Sequence, residues 1–310
     1  MHSTVLPYDQ RNLSIFMGGP CDSGSASASL FTWMKPADAA FVYVLIMSSG
    51  GAGCNGTVQP SGASPGGYQS MGGGASPVWA ALYPTHMVPD ILYATVRSQV
   101  PSVGSSNQGI SGLYLDHGRT KIFAAVTGGS EPTVVSTSGT PVPTAGPVGS
   151  VVSQGSSGSG YMYSGNHSVV IPAAVTLSTT GTLIETITGN GSPGGIINQT
   201  PAYKDQRGYD VTTTSTPLPI STYYFAPTIK GGQSNTVPTG GGGTFSMKPF
   251  FSTGGAGGYS RRSPGVEGTS GPGGVGGPGS GGGGAGGTVS PNPAPSGGVG
   301  GPGLIIIKTF

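Results

Sequence analysis

Apolar positions in this chain come in short runs, either unbroken or alternating, separated by stretches of turn-forming residues. The run FVYVLIM at residues 41–47 is continuous, rich in β-branched and aromatic side chains, and too short for a helix of ordinary length. It predicts a strand buried on both faces, at the centre of the core. Residues 30–33 (LFTW) predict a strand that Lys35-Pro36-Ala37 stops. Residues 78–83 (VWAALY) and 91–96 (ILYATV) predict two more, with Pro84 and Pro89 marking a bend between them. Residues 113–115 and 121–126 flank Asp116-His117-Gly118 and predict a hairpin. Strands at this spacing belong to a sandwich or a barrel. Residues 169–171, 182–188 and 245–251 supply further short β-prone runs, and the chain ends on a strongly β-prone one, LIIIKTF at 304–310. No window carries a 3.6-residue period, so a helical bundle is excluded.

The expectation is therefore an all-β chain: a β-sandwich or jelly-roll-like core with long glycine-rich loops and short polyglycine or polyproline-II-type helices, with essentially no α-helix. Residues 1–28 read as an N-terminal arm, either frayed or docked on a partner; docking is favoured, since Ile15, Phe16 and Met17 of the apolar run 13–17 (LSIFM) would otherwise face water. Residues 29–310 read as one glycine-rich β domain. Within it, 29–127 form a β-rich core, 128–250 Ser/Thr/Pro-rich strands and loops, and 251–310 a glycine tract with a closing strand.

Nearly half of residues 254–303 are glycine, and within them glycine recurs every third position at Gly265, Gly268, Gly271, Gly274 and Gly277. Ser280 interrupts the series, and Gly283 and Gly286 resume it. A three-residue repeat is that of polyproline II, which has no internal hydrogen bonds and turns its N–H and C=O groups outward. If such segments are buried, those groups must pair with neighbouring chains, and glycine permits the close approach. An exposed 304–307 would be an aggregation hazard, so the tract is read as ordered and sealed by a final strand.

Composition sharpens this picture. Sixty-one glycines and twenty-eight prolines in 310 residues are typical of low-complexity chains, yet only 7% of residues are charged. Disordered chains hold themselves open with charge, which this one lacks. The net charge is +2, and Arg261-Arg262 is the most basic cluster, so no nucleic-acid partner is expected. Pro7, Asp9 and Arg11 interrupt any early apolar region, and the longest apolar run has the length of one strand, so neither a signal peptide nor a membrane span is expected. Cys21 and Cys54 do not make a disulfide framework, and their pairing stays open. Asn12, Asn55, Asn166, Asn190 and Asn198 stand in N-x-S/T sequons, which signify little without a secretion signal.

Candidate chemistry is sparse. His2, His86, His117 and His167 have no partners at metal-ligand spacing, and Asp116-His117 reads as a turn. No nucleophile elbow, Walker loop or zinc-protease helix is present, and Gly240–Gly243 lacks the Lys-Ser/Thr that a phosphate cradle needs. No enzyme, metal or cofactor is expected. Tyr259, Arg261 and Arg262 are the receptor-contact candidates: an aromatic face beside two guanidinium groups suits carbohydrate or phosphate. The competing reading is ordinary solvated charge on a loop.

Three phrases carry a resemblance. They are Thr32-Trp-Met-Lys-Pro-Ala37 before an apolar strand and glycine-rich loop, Pro249-Phe-Phe-Ser-Thr-Gly-Gly-Ala-Gly-Gly258, and Gly300-Gly-Pro-Gly-Leu-Ile-Ile-Ile307. Together they resemble the glycine-rich domain virion proteins of bacteriophages, a family of tail-fibre, spike and structural components. The likeness covers roughly residues 29–310. In architecture the chain is also similar to the polyglycine-helix sandwiches of phage tail-tip adhesins. The resemblance implies a protein made in the host cytoplasm and placed on the virion exterior, acting in host attachment through exposed loops. Its implied partners are other virion proteins and a host surface receptor or glycan. So little charge also leaves backbone-rich surface seeking partners, which points to a homo-oligomer, a trimer for a spike or a pentamer at a capsid vertex. The alternative is a glycine-rich structural protein of a cell envelope or extracellular matrix without a receptor role.

Overall fold

The computed structural model describes residues 12–20, 27–56, 58–59, 67–68, 70–76, 78–101, 109–129, 136–137, 211–212, 228–229, 245–247, 250–252, 254–259, 270–289 and 292–310. Its strands are β1 (Leu13–Met17), β2 (Ala28–Met34), β3 (Phe41–Met47), β4 (Val58–Gln59), β5 (Gly67–Tyr68), β6 (Val78–Pro84), β7 (Ile91–Arg97) and β8 (Ile110–Tyr114). They continue as β9 (Ile122–Thr127), β10 (Ser136–Thr137), β11 (Val211–Thr212), β12 (Thr228–Ile229), β13 (Phe245–Met247), β14 (Phe250–Ser252), β15 (Thr288–Val289) and β16 (Leu304–Thr309). A 3₁₀ turn at Thr85–Met87 is the one helical element among the described residues. The runs at 169–171 and 182–188 lie outside the described residues.

Two four-stranded antiparallel sheets form the body, in the orders β1-β16-β3-β6 and β2-β7-β8-β9. Side chains alternate across a strand, so one parity of each strand faces the other sheet. Val42, Val44, Ile46, Ala81, Tyr83, Ile305 and Ile307 of the first sheet meet Trp33, Leu92, Ala94, Val96, Leu113, Phe123 and Val126 of the second in one core. Tyr83 packs on Phe123 with ring centroids 5.2 Å apart. The opposite parity of the first sheet is apolar too: Leu45, Met47, Val78, Leu304 and Ile306 form a second buried cluster on its outer face. β3 is thus covered on both sides through its last four residues, as its unbroken apolar sequence predicts.

The run 13–17 differs from the sequence reading. It is β1, an edge strand paired with the chain's last strand in the register Leu13↔Lys308 to Met17↔Leu304. Phe16 tucks inward against Phe31, with centroids 5.2 Å apart. β16 therefore lies between β1 and β3, and its isoleucines are shielded on both edges. This apolar run is therefore paired within the chain.

Candidate functional site

Beyond one end of the first sheet, its strands run straight into glycine segments. β3 continues into segment g1 (48–56), g2 (70–76) feeds β6, and g6 (295–303) feeds β16. Three further segments complete the set: g3 (254–259), g4 (270–279) and g5 (280–287). None is helix or strand by its hydrogen bonds, because every bond leaves the segment. Those bonds advance three residues at a time. Gly282 and Ala285 of g5 donate to Gly51 and Cys54 of g1, at 2.9 and 3.0 Å. Gly283 and Gly286 donate to Gly274 and Gly271 of g4, at 2.8 and 2.9 Å. In the other direction, g5 accepts at Gly281 and Gly284 from Gly255 and Gly258 of g3, at Ser280 and Gly283 from Gly301 and Gly298 of g6, and at Gly282 from Gly73 of g2. This is the repeat of polyproline II, whose outward main-chain groups are here satisfied between segments. Segment g5 is the hub, with the other five around it.

Glycine is required by this packing. A Cβ on Gly283 would fall well inside contact with the carbonyl of Ala256, and one on Gly298 inside contact with the carbonyl of Gly274. Both obstacles are main chain, which cannot rotate away. Gly279, with φ at 72°, makes the turn between g4 and g5, where Ser280 N–H donates to the Gly277 carbonyl at 2.9 Å. Where the lattice leaves room the sequence carries alanine: Ala52, Ala75, Ala256 and Ala285 are all buried.

Serines close the bundle at each end. At the seam with the sandwich, Ser48 N–H donates to Ser76 Oγ at 2.8 Å, Ser48 Oγ donates to the Gly109 carbonyl at 2.8 Å, and Ser76 Oγ donates to the Thr127 carbonyl at 3.3 Å. Ser280 and Ser252 pair through their hydroxyls at 3.0 Å. At the far end, Ser70 Oγ donates to the Asn55 carbonyl at 2.7 Å, Ser270 Oγ donates to the Gly287 carbonyl, and Gly297 N–H donates to Asn55 Oδ1 at 2.9 Å. A serine hydroxyl thus supplies a partner where a glycine segment ends and its lattice neighbour is missing.

The segments alternate in direction so that their far ends coincide. There Asn55 is bonded to Ser70 and Gly297, Gly56 to Pro295, Tyr259 to Gly271, and Ser270 to Gly287. The connections 57–69, 260–269 and 288–294 therefore all leave from one end, about 22 Å from the sandwich at the rise of polyproline II. Described parts of that tip are the short parallel pair β4-β15, with Thr288 opposite Val58, and the exposed Pro293 and Ala294. Val58 is 46% exposed.

The opposite end of the sandwich is different in character. It carries Lys35, Asp38, Asp90, Asp116, Arg119, Lys121 and Lys308, all the described charges except Arg97. Lys35, in the turn after β2, donates to the Val88 carbonyl at 2.7 Å and pairs with Asp90 at 2.8 Å, holding the 85–90 bend. Asp116 accepts from the N–H groups of Lys121 and Thr120, at 2.7 and 3.0 Å, which fixes the β8–β9 turn. The backbone bond from Lys121 leads the effects that hold this carboxyl below its usual range.

The predicted receptor contacts divide. Tyr259 closes g3 and is 4% exposed, so its ring is buried at the base of the tip instead of standing on it. The Arg261-Arg262 pair lies outside the described residues, on the connection that Tyr259 and Ser270 anchor. Cys21, Asn166, Asn190 and Asn198 also lie outside the described residues, whereas Asn55 is held in the bundle by its bond from Gly297. The sequence reading confined the glycine layer to 254–303. Segments g1 and g2, read as loops ending and preceding strands, belong to the same layer.

Among the described residues there is no group of three or more His, Cys, Asp or Glu side chains able to hold a metal, and no helix long and apolar enough to cross a membrane. The chain matches no family model and no curated protein.

Proposed function

We propose that this chain is a virion structural protein, a spike, fibre-tip or capsid-decoration component, which acts in host attachment through the connections at the far end of its glycine bundle. The observation that carries the reading is the collection of three connections at one end of a main-chain-bonded shaft, with the described charge at the other. A shaft held by backbone bonds tolerates changes in its tip connections, because the segments' fit depends on glycine and not on what joins them. Recognition surfaces are commonly built in this way, from loops of small and polar residues on a rigid scaffold. In this reading the charged end faces neighbouring virion proteins, other copies of the chain are among them, and a host surface receptor or glycan meets the tip.

Immunogold labelling of intact particles with antibodies raised against residues 260–269 tests the reading. It predicts labelling of the exterior and blocked adsorption to host cells. Labelling that appears only after particles are broken open would overturn it.

A further inference from the structure

The two sheets end together on one flank, and both of their edges there are open. β1 is the edge of the first sheet and β2 that of the second, and the contact of Phe16 with Phe31 joins them across the sandwich. The bonds that frame each ladder show which main-chain groups are spare. Ser98 N–H donates to the Ser27 carbonyl and Lys35 N–H to the Asp90 carbonyl, so β2 bonds to β7 through its odd-numbered residues. The N–H and C=O groups of Ala28, Leu30, Thr32 and Met34 therefore point away from the sheet. Likewise Thr309 N–H donates to the Asn12 carbonyl and Gly18 N–H to that of Gly303, which leaves Leu13, Ile15 and Met17 spare on β1. No hydrogen bond among the described residues uses these groups. They are also open to solvent: Ala28, Leu30, Thr32 and Met34 are all exposed, Met34 to 71%, as are Ile15 and Met17. The opposite flank differs, since β9 is buried from Phe123 to Val126. Sheet edges are ordinarily blocked by charge, proline or a bulge. β1 and β2 carry no charged residue and no proline, and their ladders run without a register shift.

We propose that this flank pairs with the same flank of a second copy of the chain, β2 antiparallel to β2 about Phe31 and β1 antiparallel to β1 about Ile15. An open edge strand specifies the chemistry of its occupant, which is another extended main chain. A second copy fits this edge. The spare groups recur symmetrically, so that Ala28 meets the second copy's Met34 and Leu30 its Thr32, exchanging about eight main-chain bonds. In each of these pairs a larger side chain faces a smaller one, and no like charges stand opposite each other. The centres of the two ladders also coincide. Phe31 is the midpoint of β2, and Phe16, which packs on it, is one residue from the midpoint of β1. Face-packed sheets keep their strands aligned within about 30°, so one twofold axis normal to the sheets serves both ladders. The length of β2 makes the flank about 24 Å long, and two sheets make it about 20 Å thick. Pairing then covers roughly 1,000 Å² in total, the lower bound for a specific contact, which suits a dimer of micromolar affinity. Each sheet becomes continuous across both copies, and the tip and the charged end stay free for the contacts proposed above.

Sedimentation equilibrium of the full-length protein, from low to high micromolar concentration, is expected to show its weight-average mass doubling. Over the same range, hydrogen exchange at the Leu30, Thr32 and Met34 amides should slow by about tenfold as the dimer forms. The double substitution Leu30→Lys/Thr32→Lys sets like charges directly across the ladder at positions exposed in the single chain. It should leave a monomer with the Tm unchanged, and mixing it with Leu30→Glu/Thr32→Glu should restore the dimer. A wild-type protein that stays monomeric overturns the proposal, as does an assembly of any size without slowed exchange at those amides. So does a dimer that survives the double lysine substitution, or a mixture of the two variants that stays monomeric.

Discussion

Gly283 is the position at which one added methyl group should do most harm. Its N–H donates to Gly274, and its carbonyl accepts from Gly298, both at 2.8 Å. A Cβ there collides with the main chain of Ala256 and Gly255. Relieving the overlap requires g3 and g5 to part by about 1.5 Å, the difference between that collision and an ordinary carbon contact. The bonds from Gly255 to Gly281 and from Gly258 to Gly284, now 2.9 and 2.8 Å, then stretch past useful length. Losing two buried main-chain bonds at about 1–3 kcal/mol each gives roughly 2–6 kcal/mol for Gly283→Ala. Gly19→Ala is the matched control, because nothing lies within 4 Å of a Cβ at that position. There the smaller conformational freedom of the unfolded chain should stabilise the protein by about 0.4–1 kcal/mol. Urea unfolding followed by tryptophan fluorescence reads both variants. Equal effects, or a Gly283→Ala variant as stable as wild type, would refute the close-packed bundle.

Other outcomes follow from the same contacts. Ser76→Ala strands the buried Ser48 N–H, so stability should fall by about 1–3 kcal/mol, measured as a lower Tm. Lys35→Met should cost more than Asp90→Asn, because the Asp90 side chain is 88% exposed and its ion pair is screened, whereas the bond to the Val88 carbonyl is sheltered. Burial raises the Tyr43 hydroxyl to about 12, so its contribution is complete below pH 10 and is lost as pH rises through 12. Absorbance at 295 nm should therefore show a tyrosine that resists ionisation until alkaline unfolding, and Tyr43→Phe should delay that unfolding. Deletion of residues 1–11 should leave a monodisperse protein, while deletion of 1–17 should aggregate by light scattering, because β16 becomes an open apolar edge.

The strands were legible because their signal is local. The run 41–47 matches β3, and 78–83 and 91–96 fall within one residue of β6 and β7, because β-branched and aromatic runs broken by Pro and Gly leave few alternatives. The glycine period was legible for a related reason: Gly271, Gly274, Gly283 and Gly286, picked out by spacing, are the residues that bond g4 to g5. The partners of those segments were not legible. Nothing in SSGGAGCNG at 48–56 says that it lies beside 282–285, because glycine carries no side chain to mark a face. β1 escaped for a similar reason: an apolar run near the start of a chain looks the same whether it pairs with a partner or with the last strand of its own fold. The burial of Tyr259 depends on where g3 ends, which composition does not encode.

Amide hydrogen exchange across 280–287 tests the central claim most directly, since these residues have no helix or strand of their own to protect them. If g5 is the hub of a main-chain-bonded lattice, the amides of Gly282, Gly283, Ala285 and Gly286 should exchange as slowly as those of Val44 and Ile46 in β3, and should become accessible only with global unfolding. Exchange of those four amides within seconds while β3 stays protected would contradict the account.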